Sequence, residues 1–407
     1  MKILLITDHF YPDLSSGGRL LTDLALGLVE AGNQVQVITA SPDVNTAKIQ
    51  LPNGEFFGVK IDNIRLKNLS KYNLKVRVIY EILFCLTVFF RVLFYSSADV
   101  IFTLSSPPFL PYFVAFLSRL KRIPYVYVVM DVYPDIAINL GLLKPNSKIV
   151  KLWDWISILA LRNATRVVVL GRCMYNVIHK KMAGSAVPID IIHNWSNAEK
   201  IQPLPRAINP FFINNPHLKE KFIVQYSGNL GRFQDFETIL GSAEKLKTNS
   251  YIHFLIIGEG FQREWLLNEV ERRSLNNVTL LSFQPQEELV YSLNAANVAL
   301  VTLKRGAEGL GVPSKFYPIL AAGKPVLAIM AEWAEVALTV KEFAIGIVLE
   351  QDNIDSLAGA INKWSSDPEE LDKIGKRSRD LFLQRFDRSY AIEAYQKCLH
   401  LAVSLEE

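Results

Sequence analysis

Three glycine-rich turns in the second half of the chain carry its strongest chemical signal. Gly228-Asn229-Leu230-Gly231-Arg232 follows the apolar run 222–227, and Gly258-Glu259-Gly260 follows the run 252–257. The third, Gly309-Leu310-Gly311-Val312-Pro313-Ser314-Lys315, leads into a helical pattern containing Ala321-Ala322-Gly323-Lys324-Pro325. Glycine lets the backbone approach a ligand closely and take φ values closed to other residues. Where such a turn runs into a helix, free N–H groups and a nearby cation can cradle a phosphate. Arg232 and Lys315 supply the cations. Ser314 is a candidate cap for the following helix, whose first turn with Lys315 would aim positive potential at a diphosphate. Each turn alone is as readily structural, but three at successive strand ends favour a nucleotide site. Neither the GxGxxG nor the GxxxxGK[ST] spacing occurs, so dinucleotide-fold and P-loop readings do not apply.

The first half offers fewer groups. Gly17-Gly18 stand where a helix begins after the opening strand, and a glycine pair there is a weak anion-site signal. Asp131 and Asp135, in MDVYPD, follow a strand. Asp131 could orient substrate hydroxyls; the alternative, a helix cap or salt-bridge partner, weighs more for Asp135. His193, beside Asn194-Trp195 at the end of another strand, and His9 are further candidates. Cys85, Cys173 and Cys398 lie far apart with no Cys/His cluster, which argues against zinc or a disulfide framework and fits a reducing compartment.

These residues need positioning elements, and the hydropathy pattern supplies them. Short apolar runs at 3–7, 34–39, 99–104, 124–130, 166–171 and 189–193 alternate with helical spacing. One such helix carries Leu20, Leu21, Leu24, Ala25, Leu28 and Val29 and stops at Gly32. Strand, helix, strand within about 40 residues is a βαβ unit with buried parallel strands. Prolines 203, 205, 210 and 216 break the rhythm over 197–221, which reads as a linker. The alternation resumes with strands at 222–227, 252–257, 277–282, 297–302, 325–330 and 344–349, and helices at 235–248, 260–273 and 286–294. The chain is helical after about 353. The pattern predicts two doubly wound α/β domains: 1–196, and 222–385 after the 197–221 linker. A last helix over 386–407 is expected to pack back on the first domain. In such sheets ligands bind beyond the carboxyl ends of the strands.

The 407 residues carry 44 basic and 40 acidic side chains, a net charge of +4. The first 200 residues hold 22 basic against 14 acidic groups and the remainder 22 against 26, so the two halves are suited to different partners. With 50% hydrophobic and 21% charged residues, disordered, collagenous and low-complexity classes are excluded. Residues 79–95, IYEILFCLTVFFRVLFY, are interrupted by Glu81 and Arg91 and fall short of the roughly 20 apolar residues of a membrane crossing. They read either as a buried helix or as an interfacial one. Lys60, Arg65, Lys67, Lys71, Lys75, Arg77 and Arg91, against Asp62 and Glu81, favour contact of 60–95 with an anionic membrane surface. Nucleic acid is not an expected partner, since no recognised motif accompanies the basic residues. The opening residues read as a strand rather than a signal peptide.

Taken together, the motifs resemble the retaining GT-B glycosyltransferases of family 4, in particular those of bacterial surface-polysaccharide and O-antigen biosynthesis. The resemblance rests on ILLITDHFYPD…GGRLLTDLALGLVEAGNQVQVIT, SPPF…PYVYVVMDVYPD, IIHNWSN, VQYSGNLGR, LIIGEGFQREWL and GVPSKFYPILAAGKPVLA, in that order along nearly the whole chain. It implies a GT-B architecture, two Rossmann-like doubly wound domains facing a central cleft. It implies transfer, with retention and without bound metal or cofactor, of a hexosyl or N-acetylhexosaminyl group from a UDP- or GDP-type sugar. The implied acceptor is a polyprenyl-diphosphate-linked sugar at the cytoplasmic face of the plasma membrane. On this resemblance Gly228, Asn229, Arg232, Gly311, Val312, Pro313, Ser314 and Lys315 hold the diphosphate. Gly258, Glu259 and Gln284 lie near the base, and Gly17, Gly18 and Asp131 face the reacting sugar. His193 and Asn194 line the site. The chain departs from the family at Asn229 and Gln234, where arginine and lysine are usual, and at Leu310 and Pro318, where the family has glutamates; Glu308 is the candidate replacement for the first. Alternative readings are a nucleotide-sugar epimerase of the same fold, which needs no acceptor, and a non-catalytic nucleotide-binding relative.

Overall fold

The computed structural model describes residues 1–13, 15–40, 54–64, 66, 74–95 and 97–404, with the side chains of residues 16, 74, 75, 77 and 95 left aside. Arg65, Lys67 and Lys71 of the basic stretch, and the side chains of Lys75 and Arg77, therefore lie outside the described residues. The chain forms two compact units: Met1–Asn194 with Gly309–Gly311 and Arg388–Glu407, and Trp195–Glu308 with Val312–Asp387.

The first unit runs β1 (Lys2–Ile6), α1 (Ser16–Glu30), β2 (Gln34–Ala40), β3 (Gly54–Phe56), β4 (Val59–Ile64), α2 (Leu74–Tyr95) and β5 (Val100–Leu104). It continues with α3 (Leu110–Lys121), β6 (Tyr125–Val129), α4 (Asp135–Asn139), α5 (Lys148–Asn163), β7 (Arg166–Val169), α6 (Arg172–Lys181) and β8 (Ile189–Ile191). The strands form one sheet in the order β3-β4-β2-β1-β5-β6-β7-β8, parallel except for the β3–β4 pair. Its central strands are mostly apolar and, Lys2 apart, buried, as helices on both faces require. The β3–β4 edge falls outside the sequence expectation. Lys60 and Asp62 break the apolar run there, leaving only Val59, Ile61 and Ile64 to face inward. Helix α2 starts five residues before the expected 79, and no described helix is long and apolar enough to cross a membrane.

The second unit begins with a proline-rich stretch containing α7 (Phe211–Asn214). Arg206 holds it in place by donating to the carbonyls of Leu218, Lys219 and Lys221, each at 2.7 Å, and to Asn297 Oδ1 at 2.9 Å. Then follow β9 (Phe222–Ser227), α8 (Phe236–Lys245), β10 (Ile252–Ile257), α9 (Arg263–Arg272), β11 (Val278–Leu281), α10 (Leu289–Ala295) and β12 (Val298–Thr302). After them come α11 (Phe316–Ala321), β13 (Val326–Ile329), α12 (Glu335–Glu342), β14 (Gly346–Leu349), α13 (Ile354–Ser365) and α14 (Pro368–Arg385). The six strands are all parallel, in the order β11-β10-β9-β12-β13-β14. The final helix α15 (Arg388–Ser404) groups with the first unit. There it packs on α1, β5 and β6; Arg388 pairs with Asp23 at 2.9 Å and Glu30 at 2.7 Å, and Tyr395 meets Phe102 edge-on.

Candidate active-site residues

In the second unit the glycine turns after β9 and β10 lie backbone against backbone. Leu230 N–H donates to Glu259 O at 2.8 Å, and Gln262 N–H to Leu230 O at 2.8 Å. Gly228, Gly258 and Gly260 have φ of 143°, 154° and 147°. A Cβ at Gly258 would collide with the Gly228 carbonyl oxygen, and one at Gly260 would sit 2.6 Å from Asn229 Oδ1 and 2.7 Å from Leu230 C. Only glycine satisfies both the dihedral and the spacing.

Lys315 reaches this turn from α11. A Cβ on Gly228 would lie 2.9 Å from Lys315 Cε and 3.1 Å from its Nζ. The ammonium donates to the Tyr226 hydroxyl, which donates in turn to Asn229 O at 2.7 Å, and Nζ lies 3.7 Å from the Tyr226 ring centroid. Tyr226 is fully buried, and burial raises its phenol far above the ordinary value. Withdrawal from water lowers Lys315 to about 7. An ammonium with no carboxylate beside it among the described residues, set against a glycine turn, suits an incoming anion, which would restore its charge.

The other residues singled out from the sequence in this unit have contacts of their own. Arg232 is exposed, with its guanidinium stacked 3.2 Å over the Phe261 ring. Glu259 pairs with Arg263 at 3.1 Å, and Gln284 donates to Ser282 O at 3.0 Å. Glu308 is buried. Its carboxylate accepts from Gly306 N–H at 2.7 Å, Ala331 N–H at 3.3 Å and Gln351 Nε2 at 2.6 Å. Val312 is buried, and Pro313 O accepts from Phe316 N–H at 3.2 Å. Ser314 does not hold the helix cap: α11 starts at Phe316 with Lys315 in the cap position, and no side chain caps it. Gln234, at the family's lysine position, keeps its Oε1 buried without a hydrogen-bond partner among the described residues. Tyr226 and Gln262 escaped sequence reading. Gln262, two residues past the Gly258–Gly260 turn, braces the other turn by donating to Gly231 O and to Gln234 O at 3.1 Å.

In the first unit, polar groups gather where β1, β5 and β6 end. Ser105 Oγ accepts from the N–H groups of Met130 and Asp131, both at 3.0 Å. Asp131 is half-buried, and loss of solvent raises its carboxyl to about 6. The Gly309–Gly311 segment packs here: Val132 N–H donates to Leu310 O at 2.9 Å, and a Cβ on Gly311 would stand 3.2 Å from Asp131 Oδ1. Glycine at 311 leaves that oxygen uncrowded. Asp135 is a salt-bridge partner, 2.8 Å from Lys181 Nζ. Ser15 caps α1 by accepting from Gly18 N–H at 3.2 Å, while space beside Gly17 is open. His193 Nδ1 donates to Leu170 O at 3.0 Å, and Asn194 is buried.

Arg19 and the pairing of the candidate His9 with Asp13 were not read from sequence. Arg19, directly after the glycine pair, has Nε buried without a hydrogen-bond partner among the described residues, and burial lowers its pKa against the pull of Asp13. His9 Nδ1 lies 2.5 Å from Asp13 Oδ2, and its Nε2 3.4 Å from Asp8 Oδ2. Burial alone would raise Asp13, but bonds from His9 and the Ser15 N–H outweigh it and hold the carboxyl at about 2. The spacing Asp8-His9-x₃-Asp13 was the available signal. No group of three metal-ligating side chains occurs among the described residues.

Comparison with known proteins fits this arrangement. Residues 209–381 match the family "Glycosyl transferases group 1", and residues 17–195 match "Glycosyl transferase 4-like domain". The chain is 31% identical over 310 residues to the probable glycosyltransferase WbjE of Pseudomonas aeruginosa, covering 75% of each chain. It is 25% identical over 380 residues to the putative colanic acid biosynthesis glycosyl transferase WcaI of Escherichia coli, covering 89% of this chain and 92% of that one. Among solved structures, sucrose-phosphate synthase of Thermosynechococcus elongatus superposes with TM-score 0.78 at 18% identity, covering 99% of this chain and 100% of that one. HepE of Anabaena, solved with UDP, gives TM-score 0.75 at 16% identity over 98% and 100%. The fold is therefore GT-B, and the chain belongs to the group 1 glycosyltransferases, with a glycosyl transferase 4-like first half.

Proposed function

We propose that the chain moves a hexosyl or N-acetylhexosaminyl group, with retention and without metal or other cofactor, from a UDP- or GDP-type sugar to a polyprenyl-diphosphate-linked acceptor. The carrying observation is the Lys315 ammonium held against the Gly228 turn. A cation and close-set backbone at a strand's carboxyl end can stabilise a departing nucleoside diphosphate. Neighbouring structures support this donor class: HepE was solved with UDP-glucose, and the E. coli trehalose-6-phosphate enzyme with UDP-2-fluoro glucose. In this reading Asp131 orients the reacting sugar's hydroxyls, the leaving phosphate assists deprotonation of the acceptor, and Gly17, Gly18 and Arg19 serve the sugar-phosphate end. Glu259 and Gln284 serve the base, and His193, Asn194 and Glu308 shape the surroundings.

The name of WcaI, a putative colanic acid biosynthesis glycosyl transferase, supports a place in polysaccharide synthesis; that the polysaccharide is a cell-surface one of O-antigen type is part of the proposal. Residues 60–95 then meet the membrane, with the enzyme at the cytoplasmic face. Thermal shift against a panel of nucleotide-sugars, followed by turnover with membrane extract, tests the reading, since a ligand that binds the native state raises its apparent stability. A shift with one UDP- or GDP-sugar, reduced in Lys315→Ala and in Arg232→Ala, is expected. Retained affinity and turnover in both variants and in their combination would overturn the diphosphate assignment. Donor conversion without acceptor would point instead to an epimerase. Product anomeric configuration and activity in chelator test retention and metal independence.

A further inference from the structure

Helix α2 is apolar nearly all round, yet only one side is used by the core. Tyr80, Phe84, Val88 and Val92 are buried, whereas Ile79, Leu86 and Phe90, on the other side, are 52%, 38% and 54% exposed. The pattern repeats on the next two helices. Phe116 and Leu120 on α3 are 61% and 54% exposed, and Ile149, Leu152 and Trp155 on α5 are 64%, 57% and 58% exposed. Spacings of three, four or seven residues put each set in one row along its helix.

The three rows belong to one layer. Phe89 of α2 meets the rings of Phe113 and Phe116 of α3 at 6.4 and 5.9 Å, and Tyr112 of α3 hydrogen-bonds Ser157 of α5 at 2.9 Å. Right-handed crossovers put α2, α3 and α5 on one face of the sheet, opposite α1 and α15. A continuous apolar face of this extent is unusual on a soluble surface and marks a contact site.

Charge selects the occupant. Arg119, Arg122, Lys144, Lys148 and Lys151 are exposed along α3, α5 and the segment before α5. The one acid of α5, Asp154, is 2.5 Å from Lys181. A second copy docked about a two-fold axis would bring like rows together and set cations against cations. An anionic leaflet neutralises them and accepts the aromatic and aliphatic rows at headgroup depth. We infer that the outer face of α2, α3 and α5, extending well beyond residues 60–95, is a docking surface for an anionic lipid bilayer on which the chain lies without crossing. This rests on the membrane reading above and deepens it.

The full chain is mixed with sedimentable vesicles of phosphatidylcholine alone or in equal parts with phosphatidylglycerol. Partition onto the anionic vesicles is expected, with Trp155 quenched by brominated acyl chains and Trp155→Phe binding while losing that quenching. Ile149→Ser combined with Leu152→Ser, and Lys148→Glu combined with Lys151→Glu, should each lower partition about tenfold or more without changing the near-UV dichroism. Equal partition of these variants and the parent, or a parent dimer that they dissociate, would overturn the proposal. Vesicle binding that persists when every nucleotide-sugar fails to bind would sustain the surface and remove the enzymatic reading instead.

Discussion

The strand ends of the two units carry opposite kinds of chemistry. In the second unit the functional geometry is made by backbone: three glycines at positive φ, loops hydrogen-bonded main chain to main chain, and one desolvated ammonium. In the first it is made by ionisable side chains, namely Asp131, the His9–Asp13 pair and Arg19. Backbone can be fixed before a ligand arrives and does not titrate. That suits holding a constant nucleotide diphosphate, whereas a carboxyl near neutrality suits a reacting centre.

The difference can be broken most severely at Gly258. Gly258→Ala puts a methyl group into the Gly228 carbonyl at a φ that L-residues avoid. Donor binding should fall by about 100-fold or more, at a strain of roughly 1–3 kcal/mol, measured by nucleotide titration with dichroism as the fold control. Next is Asp131→Asn, expected to lower kcat/KM about 100-fold and to remove the acid limb of its pH profile. In the parent that limb rises through about 6 as the carboxylate forms. The alkaline limb should fall above about 7 as Lys315 loses its proton, so the profile peaks between the two.

Lys315→Met should flatten the alkaline limb and weaken donor binding about 10- to 100-fold, ~1.4–2.8 kcal/mol. The same change should raise the melting temperature of the ligand-free protein. The folded pKa lies below the ordinary 10.5, so the unfolded chain binds the extra proton between the two values. The parent's penalty is therefore full below about 7 and fades as pH rises toward 10.5. Removing it at pH 7 should add a few degrees, about 2–4 °C per kcal/mol. The smallest effect belongs to Arg232→Ala. Its guanidinium is exposed, and an exposed ion pair contributes at most about 1 kcal/mol, so donor affinity should drop about fivefold or less.

Much of this was legible in the sequence, for identifiable reasons. Buried parallel strands are continuous apolar runs, so β1, β2 and β5 to β14 fall where hydropathy puts them. β3 and β4 do not, because an edge strand alternating Val59, Lys60, Ile61 and Asp62 lacks that run. The glycine turns were visible because close backbone approach admits one residue type. Their partners were less so: Tyr226 reads as a core aromatic, and nothing in its neighbours announces an ammonium from residue 315. The capping role expected of Ser314 went unfilled because α11 starts two residues later. The full extent of the α2–α3–α5 face was invisible for a different reason, since exposed and buried apolar residues look alike until the helices are packed.

The placement of α15 bears on how the molecule is made. A sheet face that most α/β domains cover from within their own sequence is here covered partly by the last helix of the chain, through Tyr395 on Phe102 and Arg388 on Asp23 and Glu30. During synthesis the first unit's strands leave the ribosome long before that helix does, at roughly 5–20 residues per second. Part of its apolar face must therefore wait for α15, with the whole second unit translated in between. Emergence of α15 from the ribosome, rather than completion of the first two hundred residues, sets when this half of the protein can become native.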